Sequence, residues 1–189
     1  WTVFDESNSL LKSEMNAYDL ATSKDGTVWF SSKDELIKYK NGNWSAVVIP
    51  EQHQSSFSHQ IAVDEENNLW MSGLKNLFRF DGNKWDEFNY SGEEIMMSSW
   101  VSDLKIDREQ NIWFTLSGYY PVDLFTGGLV KFDGEEWTIY SALETGVSLN
   151  SYFLMIDKND HLWPTSHSNS IVSFDGQVFA TYSPSIPQM

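Results

Sequence analysis

The chain has no cysteine among its 189 residues. That excludes disulfide staples and thiol catalysis and leaves the compartment open. No apolar run is long enough to span a bilayer as a helix, and no charged-then-apolar leader with a cleavage site stands in these residues. Positive charge is scarce: 12 Lys and Arg face 27 Asp and Glu, a formal net charge of -15. A field of that sign repels phosphate backbones and anionic headgroups. Nucleic acid and direct membrane contact are therefore not expected, while cationic or neutral partners are. No glycine loop for phosphate, no G-x-S-x-G and no zinc-ligand spacing occurs. The string DKNDHLW from Asp157 starts like a calcium loop but lacks the glycine and distal glutamate that would complete one, so it reads as a hairpin turn. No metal and no cofactor is expected, and the acidic runs DEEN and GEE read as solvated turns.

What the chain has in quantity is aromatic side chains, and they recur in register. Trp29, Trp70, Trp113 and Trp163 stand in GTVWFSS, NNLWMSG, QNIWFTL and DHLWPTS, and each is followed by a second element: LIKYKNGNW, LFRFDGNKW, LVKFDGEEW and IVSFDGQVF. Tyr39 to Trp44, Phe80 to Trp85, Phe132 to Trp137 and Phe174 to Phe179 are all five residues apart. Upstream, Leu20, Ile61, Leu104 and Leu154 sit nine positions before the lead tryptophan, and Thr22, Val63, Ile106 and Ile156 seven before it. That is period two, the signature of strands. The D-G and N-G pairs tie consecutive strands into hairpins. A second turn precedes each lead tryptophan, so each unit reads as four short antiparallel strands, A to D.

A meander of about forty residues cannot bury both its faces alone. Stacking such sheets face to face around an axis is the β-propeller solution, with the large aromatics filling the space between blades. The fold class expected is all-β, a propeller of four-stranded antiparallel blades near residues 16–49, 57–90, 100–140 and 150–182, followed by a tail at 183–189. Trp1-Thr-Val-Phe4 matches the D strands WDEF at Trp85 and WTIY at Trp137. Residues 1–4 are thus expected to be an orphan outer strand whose A, B and C strands belong to an earlier unit, making the chain a piece of something larger. Four units are fewer than the roughly six to eight of most propellers, although four-bladed rings do occur. Self-association, or blades outside these residues, is expected to complete the ring. Pro164, one place after Trp163, removes a ladder donor and marks the last unit as terminal.

Binding sites are best sought where the copies differ. The distance from lead tryptophan to C-strand aromatic is ten for Trp29 to Tyr39 and Trp70 to Phe80, eleven for Trp163 to Phe174 and nineteen for Trp113 to Phe132. The surplus is the segment SGYYPVDLFTGG, from Ser117 to Gly128, carrying Tyr119, Tyr120, Asp123 and Phe125. In a meander the B-to-C and D-to-A connections share one rim and the short turns share the other. The first rim is the expected recognition face. There the links ending in NAYD, FSHQ, WVSD and NSYF bring Tyr18, Asp19, Phe57, His59, Gln60, Trp100, Asp103, Asn150 and Tyr152 near the channel mouth. The ligand-binding candidates are Tyr18, Asp19, His59, Gln60, Trp100, Asp103, Tyr119, Tyr120 and Tyr152. Aromatic rings mixed with amides and carboxylates suit a neutral polar ligand such as a carbohydrate.

The string D-x-x-x-N-φ-W with a following FDG-x-x-W, as in DEENNLWMSG...LFRFDGNKW and DREQNIWFT...LVKFDGEEW, resembles the two-component regulator propeller repeat, and it covers nearly the whole chain. The resemblance implies a bacterial, periplasmic or secreted setting. It also implies a non-enzymatic sensor or interaction module, of the kind that precedes hybrid histidine kinases and recognises oligosaccharides. Parts of the pattern also look like the seven-bladed streptogramin B lyase, which would make the chain an enzyme. Such a lyase needs a general base and a metal-held carboxylate at the mouth. Of His53, His59, His161 and His167 only His59 falls there. A third alternative is a protein scaffold that docks a partner through the insertion at Ser117 to Gly128.

Overall fold

The computed structural model describes residues 2–5, 7–11, 17–32, 35–51, 57–73, 76–90, 99–118, 127–147, 149, 151–165 and 170–183, and for 57–59, 99, 118, 142 and 143 the backbone alone. The described chain forms sixteen strands in four separate four-stranded sheets. Blade 1 holds β1 (Ala17–Thr22), β2 (Val28–Ser32), β3 (Leu36–Lys40) and β4 (Asn43–Val47). Blade 2 holds β5 (Phe57–Val63), β6 (Leu69–Gly73), β7 (Asn76–Phe80) and β8 (Trp85–Asn89). Blade 3 holds β9 (Ser99–Ile106), β10 (Ile112–Gly118), β11 (Gly128–Phe132) and β12 (Trp137–Ser141). Blade 4 holds β13 (Leu154–Ile156), β14 (Leu162–Pro164), β15 (Ile171–Phe174) and β16 (Phe179–Tyr182). Each sheet is an antiparallel meander in chain order, the blade of a β-propeller. Two compact units divide the chain, Trp1–Asn89 with blades 1 and 2 and Tyr90–Met189 with blades 3 and 4. Among the described residues no helix is long and apolar enough to cross a membrane.

The turn before each lead tryptophan explains the repeat's most regular string. Its first residue accepts the amide of the fourth at 3.0–3.1 Å, and the fourth takes positive φ: Gly26, Asn67, Gln110 and Asp160. In blades 2 to 4 the first residue is aspartate. Asp107 accepts the Asn111 amide at 2.8 Å through Oδ1, and the Asn111 Nδ2 and Trp113 Nε1 donors at 2.8 and 2.7 Å through Oδ2. Asp64 accepts the Trp70 indole at 2.9 Å, and Asp157 accepts the Trp163 indole at 3.1 Å. The aspartate six places before the tryptophan therefore caps the turn and satisfies an indole N–H that burial would otherwise leave unpaired. Blade 1 has Ser23 at this position, and the buried Trp29 Nε1 has no hydrogen-bond partner.

The FDG turns differ in detail from the hairpins expected. Only the glycine, Gly82, Gly134 or Gly176, takes positive φ, as the first central residue of a type II′ turn does. The aspartate before it stays in ordinary backbone and caps the turn: Asp81 accepts the Lys84 and Asn83 amides at 2.7 and 2.8 Å. In blade 1 both Asn41 and Gly42 are left-handed, the type I′ alternative.

Within each unit the second blade is packed on the first. In unit 1, Trp29 and Leu36 of blade 1 join Ile61, Leu69, Met71, Phe78 and Phe80 of blade 2 in one buried cluster. In unit 2, Trp113 and Leu129 of blade 3 join Leu154, Leu162, Val172 and Phe174 of blade 4. Each large side chain so buried contributes about 1.5–3 kcal/mol. A cation covers the lead indole of the first three blades, Lys38 over Trp29, Arg79 over Trp70 and Lys131 over Trp113, at 5.7–5.8 Å from the ring centroid.

Two local differences from expectation and one expected weakness, at Pro164, have physical causes. Residues 2–5 form no strand. Phe4 nevertheless packs on Tyr39 and Trp44, both at 5.2 Å, as Tyr140 of blade 3 packs on Phe174 and Phe179 of blade 4 at 4.8 and 5.9 Å. The serine ending β12 begins a one-turn helix, α1 (Ala142–Thr145), because Ser141 and Glu144 form a capping box: Glu144 N donates to Ser141 Oγ and Ser141 N to Glu144 Oε2. Blade 4 has a weak middle. Pro164 lacks an amide donor, and β14 keeps a single registered pair with β15, where β10 and β11 keep five.

Candidate functional site

The innermost strands of blades 1, 2 and 3 are each interrupted near their N-terminal ends. In β1 the register shifts between Ala17 and Asp19, at Tyr18. In β5 it jumps between Phe57 and Ile61, and in β9 Ser102 is skipped between Val101 and Asp103. These are β-bulges, which bend a strand end and re-aim its side chains, and they concentrate beside binding sites. Small hydroxyls on the neighbouring strand take up the displaced backbone. The Gln60 amide donates to Ser72 Oγ at 3.2 Å, Ser72 Oγ donates to the Gln60 carbonyl at 3.3 Å, and Ser102 Oγ donates to Ser117 Oγ at 2.7 Å. Blade 4 reaches a related end by another route: the Tyr152 and Phe153 amides donate to Thr165 Oγ1 at 3.3 and 3.2 Å.

The rings expected to face a ligand are turned toward solvent at these ends. In unit 1 Tyr18 is half exposed, and in unit 2 so are Trp100 and Tyr152. Gln60 lies in β5 and is partly buried; His59 lies in the same bulged stretch of β5, where the backbone alone is described. Tyr119 and Tyr120, with most of the insertion, lie outside the described residues.

Asp19 and Asp103 have a further engagement that the sequence did not suggest. The Ile61 amide of blade 2 donates to Asp19 Oδ2 at 2.8 Å, and the Leu154 amide of blade 4 donates to Asp103 Oδ2 at 2.8 Å. The other carboxylate oxygen accepts the next residue's own amide, Leu20 at 2.7 Å and Leu104 at 2.8 Å. Each carboxylate therefore bridges the innermost strands of two blades, and Asp103, buried, also pairs with Lys105 Nζ at 2.5 Å. The same slot holds Gln60 in blade 2 and Phe153 in blade 4. The signal was legible in one respect: aspartate recurs one place before the innermost apolar residue in alternate blades. Its acceptor role depends on the neighbouring blade's backbone, which no local pattern encodes.

The opposite rim of unit 2 has a cavity of about 310 Å³ between the turns of blades 3 and 4. Asp107, Glu109, Asp160 and Asp175 line it together with Lys131 and Trp113. Two of its acids are already engaged, Asp107 by Asn111 and Trp113, and Asp175 by the Val178 and Gln177 amides at 2.7 and 2.9 Å. Those two amides, Val178 first, hold the Asp175 carboxyl below the usual carboxylate range. The Lys84 and Asn83 amides do the same for Asp81, and the Glu136 and Glu135 amides for Asp133. A general acid needs its carboxyl moved the other way. Among the described residues no three His, Asp or Glu side chains gather where they could hold a metal ion.

No protein-family model matches the chain. No curated protein matches its sequence. Among solved structures, the extracellular domain of BT4673 from B. thetaiotaomicron, described as a one-component system, superposes with a TM-score of 0.68 at 17% identity over 90% of this chain and 25% of its own. The extracellular domain of BT3049 from the same organism, described as a hybrid two-component system, gives 0.64 at 15% identity over 89% of this chain and 23% of its own. A chain described as a gluconolactonase gives 0.59 at 12% identity over 92% of this chain and 68% of its own. These likenesses show a common propeller fold. This chain spans about a quarter of the length of the first two.

Proposed function

We propose that this chain is a non-enzymatic ligand-sensing or interaction propeller of the extracytoplasmic space, periplasmic or secreted, and that it binds a neutral oligosaccharide on the rim carrying the B-to-C and D-to-A connections. The observation that carries this reading is the set of half-exposed rings at the ends of the innermost strands, Tyr18 and Trp100 at bulges in units 1 and 2 and Tyr152 just before β13 in unit 2. Aromatic faces stack on the apolar faces of sugar rings, and neighbouring amides and carboxylates accept sugar hydroxyls. The same fold in two extracellular domains of bacterial signalling systems supports the setting. A net charge of -15 favours an uncharged or cationic ligand over an anionic one.

A glycan array followed by calorimetric titration of the strongest hits tests it. Trp100→Ala and Tyr152→Ala are each expected to weaken binding about tenfold, within the about 0.5–1.5 kcal/mol of a stacked ring, with the melting temperature unchanged. An array with no hit, or affinities that ignore both substitutions, would overturn it. The likeness to a chain described as a gluconolactonase favours one second reading, a lyase-like or lactonase-like enzyme using His59. Metal-dependent turnover of a cyclic depsipeptide or lactone, abolished in His59→Ala, would establish that reading instead.

A further inference from the structure

The repeats allow like-for-like comparison of the two units at the rim of the short turns. Counted from the lead tryptophans and the C-strand aromatics, the lining of the unit 2 cavity corresponds in unit 1 to the surroundings of Trp29. There the turn residue Asp25 is paired with Nζ of Lys40, the residue that ends β3. The Asp25 amide donates to Asn67 Oδ1 at 3.3 Å, and Lys24 Nζ reaches Glu65 Oε1 at 2.8 Å, so the turns of blades 1 and 2 are tied together. In unit 2 most of these partners change. Glu109 takes the place of Asp25, Asp133 that of Lys40, Asp160 that of Asn67 and Asp107 that of Ser23. Four carboxylates and one ammonium, that of Lys131, then line the cavity. Lys131 Nζ lies over the Trp113 indole at 5.8 Å, and the Arg108 guanidinium is 3.8 Å from Asp160. Among the described residues no basic side chain pairs with Glu109. One wall is aromatic: Tyr140, where unit 1 has Val47, stacks on Trp113 at 6.0 Å.

We infer that the cavity between the turns of blades 3 and 4 binds a primary alkylammonium, the group that Lys40 presents to Asp25 in unit 1. Glu109 and Asp160 are the carboxylates that meet it, because Asp107 is already held by Asn111 and Trp113, and Asp175 by the Val178 and Gln177 amides. Ammonium-to-carboxylate hydrogen bonds are charge-assisted, and the aromatic wall favours a cation with an apolar stem over a hydrated sodium ion. A volume of about 310 Å³ suits a small amine. The ammonium belongs either to a free amine or to a lysine side chain of a partner, and the chemistry recognised is the same. This site lies on the opposite rim of unit 2 from the half-exposed rings and is independent of the function proposed for them.

Calorimetric titration at low salt with cadaverine and with the peptide Gly-Lys-Gly tests this. At least one probe is expected to bind with a Kd of about 0.1–1 mM. Binding of cadaverine alone identifies a free amine as the source, binding of the peptide alone a side chain, and binding of both shows that ammonium and stem suffice. Glu109→Gln is expected to weaken the interaction about tenfold, the loss of one charge-assisted bond. Asp133→Lys places beside Glu109 the ammonium that Lys40 supplies in blade 1, and is expected to abolish binding. Both positions are exposed in turns, and both variants are expected to keep the wild-type circular dichroism. Glu51→Gln removes the same charge at an exposed position outside the cavity and is expected to leave the affinity unchanged. No binding of either probe up to about 10 mM overturns the site. So does an affinity that Glu109→Gln and Glu51→Gln lower equally, which would mean attraction by net charge alone, or one that Asp133→Lys leaves intact.

Discussion

Replacing Asp103 by alanine separates a blade clamp from a ligand contact. The substitution removes the acceptor of two buried amides, Leu104 and Leu154, and the partner of Lys105. A buried amide left without its acceptor costs about 1–3 kcal/mol, and the half-exposed lysine pair adds about 0–1 kcal/mol. The sum is about 2–7 kcal/mol. For a chain of this length each kcal/mol moves the midpoint by about 2–4 °C, so Asp103→Ala is expected to lower the melting temperature by about 4–28 °C. Asp19→Ala removes the same pair of bonds where Leu20 is open to water that can replace one of them. It is expected to cost about 1–2 kcal/mol. Calorimetric melts give the magnitudes, and amide hydrogen exchange at Leu154 identifies the joint that opens. A midpoint within about 1 °C of wild type, with Leu154 exchange unchanged, would refute the clamp.

The indole lock can be completed where it is missing. Ser23→Asp places a carboxylate where Asp64, Asp107 and Asp157 stand in the other blades and offers Trp29 Nε1 an acceptor. A gain of about 1 kcal/mol, or about 2–4 °C, is expected in a thermal melt, and a loss in a correctly folded variant would contradict the role given to this aspartate. Acid is a second probe. Asp81, Asp133 and Asp175 are held below the ordinary range by turn amides, so their folded pKa lies below the unfolded value. Their contribution is then fully present above about pH 4 and lost as pH falls through and below that value. Melts should hold between pH 7 and about 5 and drop below about 4. A midpoint that climbs steadily down to pH 3 would mean that relief of repulsion from the -15 net charge outweighs the caps.

The blades were legible because one residue type, tryptophan, recurs at a nearly constant spacing with strand periodicity on either side. Trp29, Trp70 and Trp113 are buried where that reading put them, with Trp163 partly covered. The weakening of the last blade at Pro164 was legible too, because a missing amide donor is a property of the residue itself. Less visible was anything that depends on the partner strand. The bulges at Tyr18 and Ser102 arise from register between strands, and the bond from the Leu154 amide to Asp103 spans two blades. Trp100 stands half exposed at its strand end, and the Asp103 carboxylate beside it is engaged between strands, a difference that the string WVSD does not encode. The Ser141 to Glu144 capping box was present as a string and was overlooked because blade strands end there.

Hydrogen exchange with and without a saturating oligosaccharide tests most directly which rim recognises a ligand. Protection is expected at the bulged or irregular strand ends, residues 17–18, 99–102 and 151–153, with the aspartate-capped turns at 64–68 and 107–111 unchanged. Protection confined to those capped turns, or to the lining of the 310 Å³ cavity beside Asp175, would contradict the account.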